Sequence, residues 1–142
     1  MSDEISIRSS LQIRKDNLEY QSKPTAFNAT MVADAAAPTP GRITVPIEGV
    51  DVDLTALTTP GIARLMNLDS TNYITYGIYD PDGDTFYPLG ELLPGESYVL
   101  RMSRVLQEEY GTGTGTTGAD TNRLRLKADT ASCEALVEIF ER

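Results

Sequence analysis

Residues 58–103 read TTPGIARLMNLDSTNYITYGIYDPDGDTFYPLGELLPGESYVLRMS, and this segment decides the fold. It contains five of the seven tyrosines of the chain. Three compact groups of turn-forming residues, DSTN, DPDGD and LPGES, interrupt its apolar runs. Short apolar runs separated by such turns are typical of antiparallel strands. The segment therefore predicts a β-meander, in which consecutive strands lie side by side.

Two positions inside this segment make the prediction specific. The run 73–79 carries large apolar groups on both faces, which predicts a central strand, and its Gly77 predicts a close backbone contact. The sequence Leu93-Pro94-Gly95-Glu96 predicts a type II turn, because proline presets φ at the second position and glycine accepts a positive φ at the third.

The segments on either side of residues 58–103 also alternate apolar and polar residues, as strands do. Residues 41–57 predict two short strands, with a bend at Gly49 and with Pro46 at a strand end or edge. Residues 123–128 and 134–142 predict a C-terminal hairpin. Its last segment also fits one face of a helix, but fewer than about 10 residues make a poor isolated helix, so a strand is favoured.

The N-terminal region predicts one strand with one wet face over residues 5–13, because its apolar side chains share one parity. A turn at residues 15–17 and a short return strand over 18–22 follow. The strand is either paired within the chain or an arm that reaches a neighbouring subunit. Pro38 and Pro40 stop any helix in ADAAAPTPG, so this stretch predicts an extended connector. We expect an arm and connector over residues 1–40 and a β-sandwich over 41–142.

Residues 107–121 are a Gly/Thr-rich stretch with almost no apolar content, which predicts a long exposed loop. The alternating GTGTG lacks the lysine of a phosphate-binding loop. The loop is therefore a candidate contact element rather than a nucleotide site.

The composition argues against several classes of function. A formal charge of −9 argues against nucleic-acid binding, and the absence of histidine excludes Ser-His-Asp and Cys-His catalysis within one chain. The single Cys133 cannot form an internal disulfide and is expected to pack. No signal peptide is visible, and no apolar run reaches the roughly 18 residues of a membrane span. We expect a soluble protein, made in a reducing cytoplasm, that is not an enzyme and needs no cofactor.

The motif DPDGD is the best metal candidate, since Asp80, Asp82 and Asp84 can supply three hard oxygens to calcium. An EF-hand loop would need glycine where Thr85 stands, and both flanks predict strands rather than helices. A hairpin turn, with Asp-Gly supplying the permissive backbone, is the favoured interpretation. The tyrosines form either a ligand-stacking face or core and interface material, and strand spacing favours core and interface material: Tyr73, Tyr76, Tyr79, Tyr87 and Tyr98.

Five short motifs carry a family resemblance: Thr59-Pro60-Gly61, Asn67-Leu68-Asp69, Thr71-Asn72-Tyr73, Phe86-Tyr87-Pro88-Leu89 and Leu93-Pro94-Gly95-Glu96. Through them the chain resembles small virion proteins of tailed bacteriophages. The resemblance covers residues 58–142, and the GTGTGTTG loop departs from it. It implies a jelly-roll-like β-sandwich on the capsid surface. It further implies a cement or decoration protein, often a trimer, that bridges subunits of the major capsid protein.

Two other functions stay open. One is a tail-tube, tail-terminator or head–tail connector component, and the other is a carbohydrate-binding β-sandwich on the virion surface. For cementing, an extended arm, a connector and a loop are the natural contact elements, with no role for nucleic acid or membrane. The expected contact residues are Ile5, Ile7, Leu11, Ile13, Pro38, Pro40, Tyr110, Thr112, Thr114 and Thr116.

Overall fold

A computed structural model describes residues 4–31, 34–37, 41–103 and 122–141 of the 142-residue chain. The described residues form thirteen β-strands and no helix, which confirms the all-β prediction. The chain divides into two compact units, Met1–Val32 and Ala33–Arg142. Part of the expected connector therefore folds with the second unit, where Ala36 and Ala37 pair with the last strand.

The N-terminal unit consists of two antiparallel strand pairs. The outer pair joins β1 to β4, and the inner pair joins β2 to β3. The turn between β2 and β3 holds Asp16 at a φ of 51°, so the predicted turn and return strand are confirmed. The strands are β1 (Ile5–Ser9), β2 (Gln12–Lys15), β3 (Leu18–Gln21) and β4 (Thr25–Ala29).

The prediction of one strand over residues 5–13 is wrong, because the strand breaks after Ser9. Ser9 pairs with Thr25, and Gln12 pairs with Gln21. Residues 22–24, which lead into β4, therefore lie opposite residues 10–11, which lead into β2. One extra residue on one of two paired strands is the geometry of a β-bulge. Pro24 lies among the three and has no N–H to donate to a ladder.

The second unit contains a five-stranded and a four-stranded sheet. In the five-stranded sheet the order is β11–β8–β13, with β5 and β6 both on the far side of β13. In the four-stranded sheet the order is β10–β9–β12–β7. The strands are β5 (Ala36–Ala37), β6 (Arg42–Val45), β7 (Val50–Asp51), β8 (Pro60–Asn67), β9 (Ile74–Asp80), β10 (Thr85–Leu92), β11 (Ser97–Arg101), β12 (Arg123–Ala128) and β13 (Cys133–Glu141).

One apolar core joins the two sheets into a β-sandwich. Leu65 and Val137 come from the five-stranded sheet and Leu124 and Leu126 from the four-stranded one, and all four are buried. Alternate residues of β13 are buried along its whole length, as a strand with one face on the core requires. The strand favoured for the C-terminal segment is thus confirmed, and Cys133 packs in the core as expected.

The predicted β-meander is wrong, although its strands are present. Strand β9 pairs with β10 in the four-stranded sheet, whereas β8 pairs with β11 in the five-stranded sheet. The pairing continues outward in the same nested manner, with β7 on β12 and β6 on β13. The predicted C-terminal hairpin is wrong for the same reason, since β12 and β13 lie in different sheets. The turns that follow β8, β10 and β12 carry the chain from one sheet to the other.

Three of the predicted backbone features are confirmed. The Glu96 N–H donates to the Leu93 carbonyl at 2.9 Å, and Gly95 has a φ of 78°, as a type II turn requires. Gly49 has a φ of 98° in the bend that follows Pro46. In the central strand β9, a Cβ on Gly77 would clash with the Tyr87 carbonyl oxygen and lie 2.9 Å from the Pro88 Cα.

Candidate protein-binding surface

Four of the ten expected contact residues lie in the described part of the N-terminal unit. Ile5 and Ile7 are half-buried in β1, opposite Ala29 and Phe27. Leu11 and Ile13 are exposed, at the break between the two strand pairs and in β2. The other six lie outside the described residues: Pro38, Pro40, Tyr110, Thr112, Thr114 and Thr116.

The three aspartates of DPDGD lie in the turn between β9 and β10. Asp80 accepts a hydrogen bond from the Asp82 N–H at 3.1 Å, and Asp84 accepts one from the Tyr79 hydroxyl at 2.7 Å. The hydrogen bond to Asp84 raises the pKa of Tyr79. In this turn the residue with a positive φ is Asp84, at 44°, one position after Gly83. The expectation that Asp-Gly supplies the permissive conformation is therefore wrong. Among the described residues, no three metal-ligating side chains converge.

An ion-pair cluster links β7 and β12 in the four-stranded sheet. Asp51 receives hydrogen bonds from Arg125 Nε at 2.6 Å and from an Arg123 terminal nitrogen at 3.0 Å. Burial alone would raise the pKa of Asp51, but the hydrogen bonds and charges of the two arginines outweigh it and lower that pKa. The Arg125 guanidinium carbon also lies 3.3 Å from the centre of the Tyr79 ring. The cluster joins the short strand β7 to β12 through one carboxylate and two guanidinium groups.

The residues of the motif Asn67-Leu68-Asp69 hold a loop in place. Asn67 is fully buried, and its Nδ2 donates to the carbonyls of Asn72 at 2.8 Å and Leu92 at 3.0 Å. Its Oδ1 accepts from the Asp69 N–H at 2.9 Å. Asp69 in turn accepts from the Thr71 and Asn72 N–H groups, which lowers its pKa. These conspicuous polar residues are therefore structural.

A pair of tyrosines spans the side of the sandwich where β10 and β11 are the outermost strands. The Tyr98 ring of β11 stacks on the Tyr76 ring of β9, with 6.0 Å between centroids and 22° between planes. A Cβ on Gly90 of β10 would lie only 2.5 Å from the Tyr76 hydroxyl oxygen, so this glycine makes room for the ring. The ring pair thus reaches from one edge strand to the other.

Large apolar side chains are exposed on the two edge strands, β10 and β11, and in the turn between them. The exposed fractions are 64% for Leu89, 54% for Tyr87 and 50% for Tyr98, and Leu93 in the following turn is half exposed. We call Tyr76, Tyr87, Leu89, Leu93 and Tyr98 the tyrosine side. Tyrosine is enriched in protein interfaces, because its ring buries a large apolar area and its hydroxyl can still hydrogen-bond.

The two edge strands beside this surface differ in how open their backbones are. Strand β10 contains Pro88 and has a register shift between Pro88 and Gly90, two features that oppose strand addition. Among the described strands, β11 pairs with β8 alone and contains neither proline nor a bulge. Its edge is thus the more suitable one for pairing with a strand of another protein.

Sequence reasoning found only part of this surface. Strand spacing predicts core or interface positions for Tyr87 and Tyr98 without deciding between them, and Leu89 and Leu93 are not among the expected contact residues. The signal was present in Pro88-Leu89-Gly90, since proline and glycine two residues apart in a strand indicate a bulged edge. A large apolar residue between them has no core to face.

The described part of the chain contains no helix long and apolar enough to cross a bilayer. No protein-family model, no curated protein sequence and no solved structure matches the chain.

Proposed function

We propose that the chain is a structural virion protein that decorates a bacteriophage capsid and bridges neighbouring subunits of the major capsid protein. The observation that carries the proposal is the tyrosine side, an exposed apolar surface on a strongly acidic sandwich. Exposed apolar patches on otherwise polar proteins mark interaction sites. The resemblance of residues 58–142 to small phage virion proteins supplies the class of partner.

The nested strand pairing supports a jelly roll as the finer description of the sandwich. Eight strands, β6 to β13, pair as though one long hairpin had been folded over into two sheets. A jelly roll consists of eight strands in two sheets joined by Greek-key connections. Each sheet then has short edges, and one of them, at β11, is free of the features that oppose pairing.

The geometry suggests how a small protein can hold a capsid together. Tyr87 and Leu89 supply apolar area that a capsid subunit can cover, and the edge of β11 supplies backbone groups for strand addition. A decoration protein occupies many equivalent positions, so modest contacts add up over the shell. We favour a trimer, since three copies bind a local threefold position with higher avidity than one.

The test is reconstitution with undecorated, expanded heads of the phage that encodes the chain. We expect the purified protein to bind these heads and to raise their resistance to heat or osmotic shock. A Tyr87→Ser/Leu89→Ser variant removes exposed side chains without opening the core, and we expect at least about a 10-fold loss of affinity. The matched control is Ile47→Ser, which removes an exposed apolar side chain between β6 and β7, at the opposite end of both sheets.

The proposal is contradicted by wild-type protein that neither binds nor protects heads. Equal binding by the double variant and by the control would contradict the assignment of the tyrosine side. Electron micrographs that show purified protein as hexameric or larger rings would instead favour the tail or connector function. Binding to a glycan array without binding to heads would favour the carbohydrate-binding function.

A further inference from the structure

The inner hairpin of the N-terminal unit, β2 and β3, gathers its large apolar side chains on one face. Residues directly opposite each other in an antiparallel pair share a face, and neighbours along a strand alternate. Ile13 lies opposite Tyr20, and Leu11 shares the parity of Ile13. Leu18 lies opposite Lys15, the one charged residue on this face of the two strands. The opposite face carries Gln12, Arg14, Glu19 and Gln21.

The apolar face of this hairpin is exposed. The exposed fractions are 59% for Leu18, 54% for Leu11, 51% for Tyr20 and 40% for Ile13. We call these four residues the hairpin face. The polar face is internally paired, since Arg14 and Glu19 form an ion pair at 2.8 Å. A two-stranded hairpin is marginally stable in water unless a further layer covers its apolar side. The hairpin face therefore requires a partner.

The distribution of charge points to another copy of the same chain as that partner. The first 32 residues hold four acidic and four basic residues, so the whole formal charge of −9 resides in the remainder. Two copies that met through their sandwiches would bring two strongly acidic surfaces together. Contact through the neutral N-terminal units avoids this repulsion. An acidic protein with a neutral hairpin is also poorly suited to an anionic lipid surface.

We propose that copies of this chain associate through the hairpin face, with the Ile13–Tyr20 pair at the centre of the contact. A symmetric contact places the same patch on both copies. The charged residues around this apolar face balance, with Arg14 and Lys15 against Asp16 and Glu19, so two such faces can meet without net repulsion. The four side chains expose on the order of 400 Å² per copy, about half the area that one partner contributes to a standard interface. We therefore expect self-association that depends on protein concentration. The proposal concerns the purified protein and is independent of the capsid function.

The first test measures the mass of the full-length protein by light scattering and sedimentation from about 1 μM to about 1 mM, a range that covers weak association. We expect a shift from monomer to a defined dimer or trimer. The Ile13→Ser/Tyr20→Ser variant should shift this transition to at least about 10-fold higher concentration. The matched control is Gln12→Ser/Gln21→Ser, which changes the neighbouring cross-strand pair on the polar face and should leave the transition unchanged.

A second test does not depend on how the serine variants fold. Leu18→Cys and Gln21→Cys place one new thiol on each face of β3, while Cys133 stays buried in the core. Under mild oxidation, Leu18→Cys should form disulfide-linked copies at least about 10-fold faster, because self-association raises the local thiol concentration. A monomer at every concentration, or equal cross-linking of the two variants, would overturn the proposal and assign the face to a different protein.

Discussion

At the scale of single residues, buried polar groups explain the motifs that stand out in the sequence. Asn67 uses both ends of its amide on backbone groups at 2.8, 2.9 and 3.0 Å. It thereby joins the end of β8 to the loop before β9 and to the end of β10. A buried polar side chain is stable only when its hydrogen bonds are satisfied. The motif around it therefore reports the architecture of a loop and carries no chemistry of its own.

The ion pairs of Asp51 predict a specific dependence of stability on pH. The pKa of Asp51 is lowered from 3.8 in the folded protein, so its stabilisation is present above about pH 3.8. It is lost as the pH falls through the folded pKa. We expect Asp51→Asn to lower the free energy of unfolding by about 1–2 kcal/mol at neutral pH, because Arg125 loses its partner. The difference should shrink towards zero as the pH falls below the lowered pKa of Asp51, where the wild-type carboxyl is itself neutral.

Urea unfolding of wild type and Asp51→Asn across this range measures the difference directly. The control is Glu48→Gln, which removes an exposed carboxylate three residues earlier and should change stability little. A difference between wild type and Asp51→Asn that stayed constant from neutral to acid pH would contradict the role of this ion pair.

At the scale of strands and turns, the conformation of a turn could be predicted from the sequence, whereas the pairing of strands could not. Proline and glycine determine the turn at Leu93–Glu96 through their own backbone preferences, so that turn could be predicted residue by residue. Whether a turn reverses the chain within a sheet or carries it to the facing sheet depends on contacts between distant strands. The pairing of β8 with β11 is such a contact, and no local pattern encodes it.

In the N-terminal unit, too, strand structure could be predicted from the sequence and strand pairing could not. The alternation of Ile5, Ile7, Leu11 and Ile13 correctly predicted strand structure in this region, although Leu11 and Ile13 are exposed. The break after Ser9 arises from the unequal lengths of the two sides, and therefore depends on the returning strand rather than on the residues at the break.

Deleting residues 1–31 should leave the sandwich folded. Every buried side chain of the apolar core lies between Ala37 and Ile139, so the deletion removes none of it. We expect the melting temperature of the truncated protein to stay within about 3 °C of the full-length value, measured in dilute solution where self-association is weak. A truncated protein that was unfolded, or that melted more than about 10 °C lower, would show that the sandwich depends on the first unit.

At the scale of the whole molecule, the chain combines a neutral amphipathic hairpin with a sandwich that carries all of the net charge. The sequence predicted an all-β fold from its alternation and turns, and an acidic protein without the usual catalytic base from its composition. It did not predict the tyrosine side, because whether Tyr87 and Tyr98 are buried depends on which strands lie at the sheet edges. Strand order is a property of the complete fold, and so is the exposure of these rings.

The most direct test of the proposed binding surface is amide hydrogen exchange of the protein bound to phage heads, compared with the free protein. If the tyrosine side and the edge of β11 contact the capsid, exchange in β10 and β11 should slow by at least about 10-fold on binding. The bend between β6 and β7, at the opposite end of the sheets, should exchange at the same rate in both states. Slowing confined to that bend, with β10 and β11 unchanged, would contradict the account.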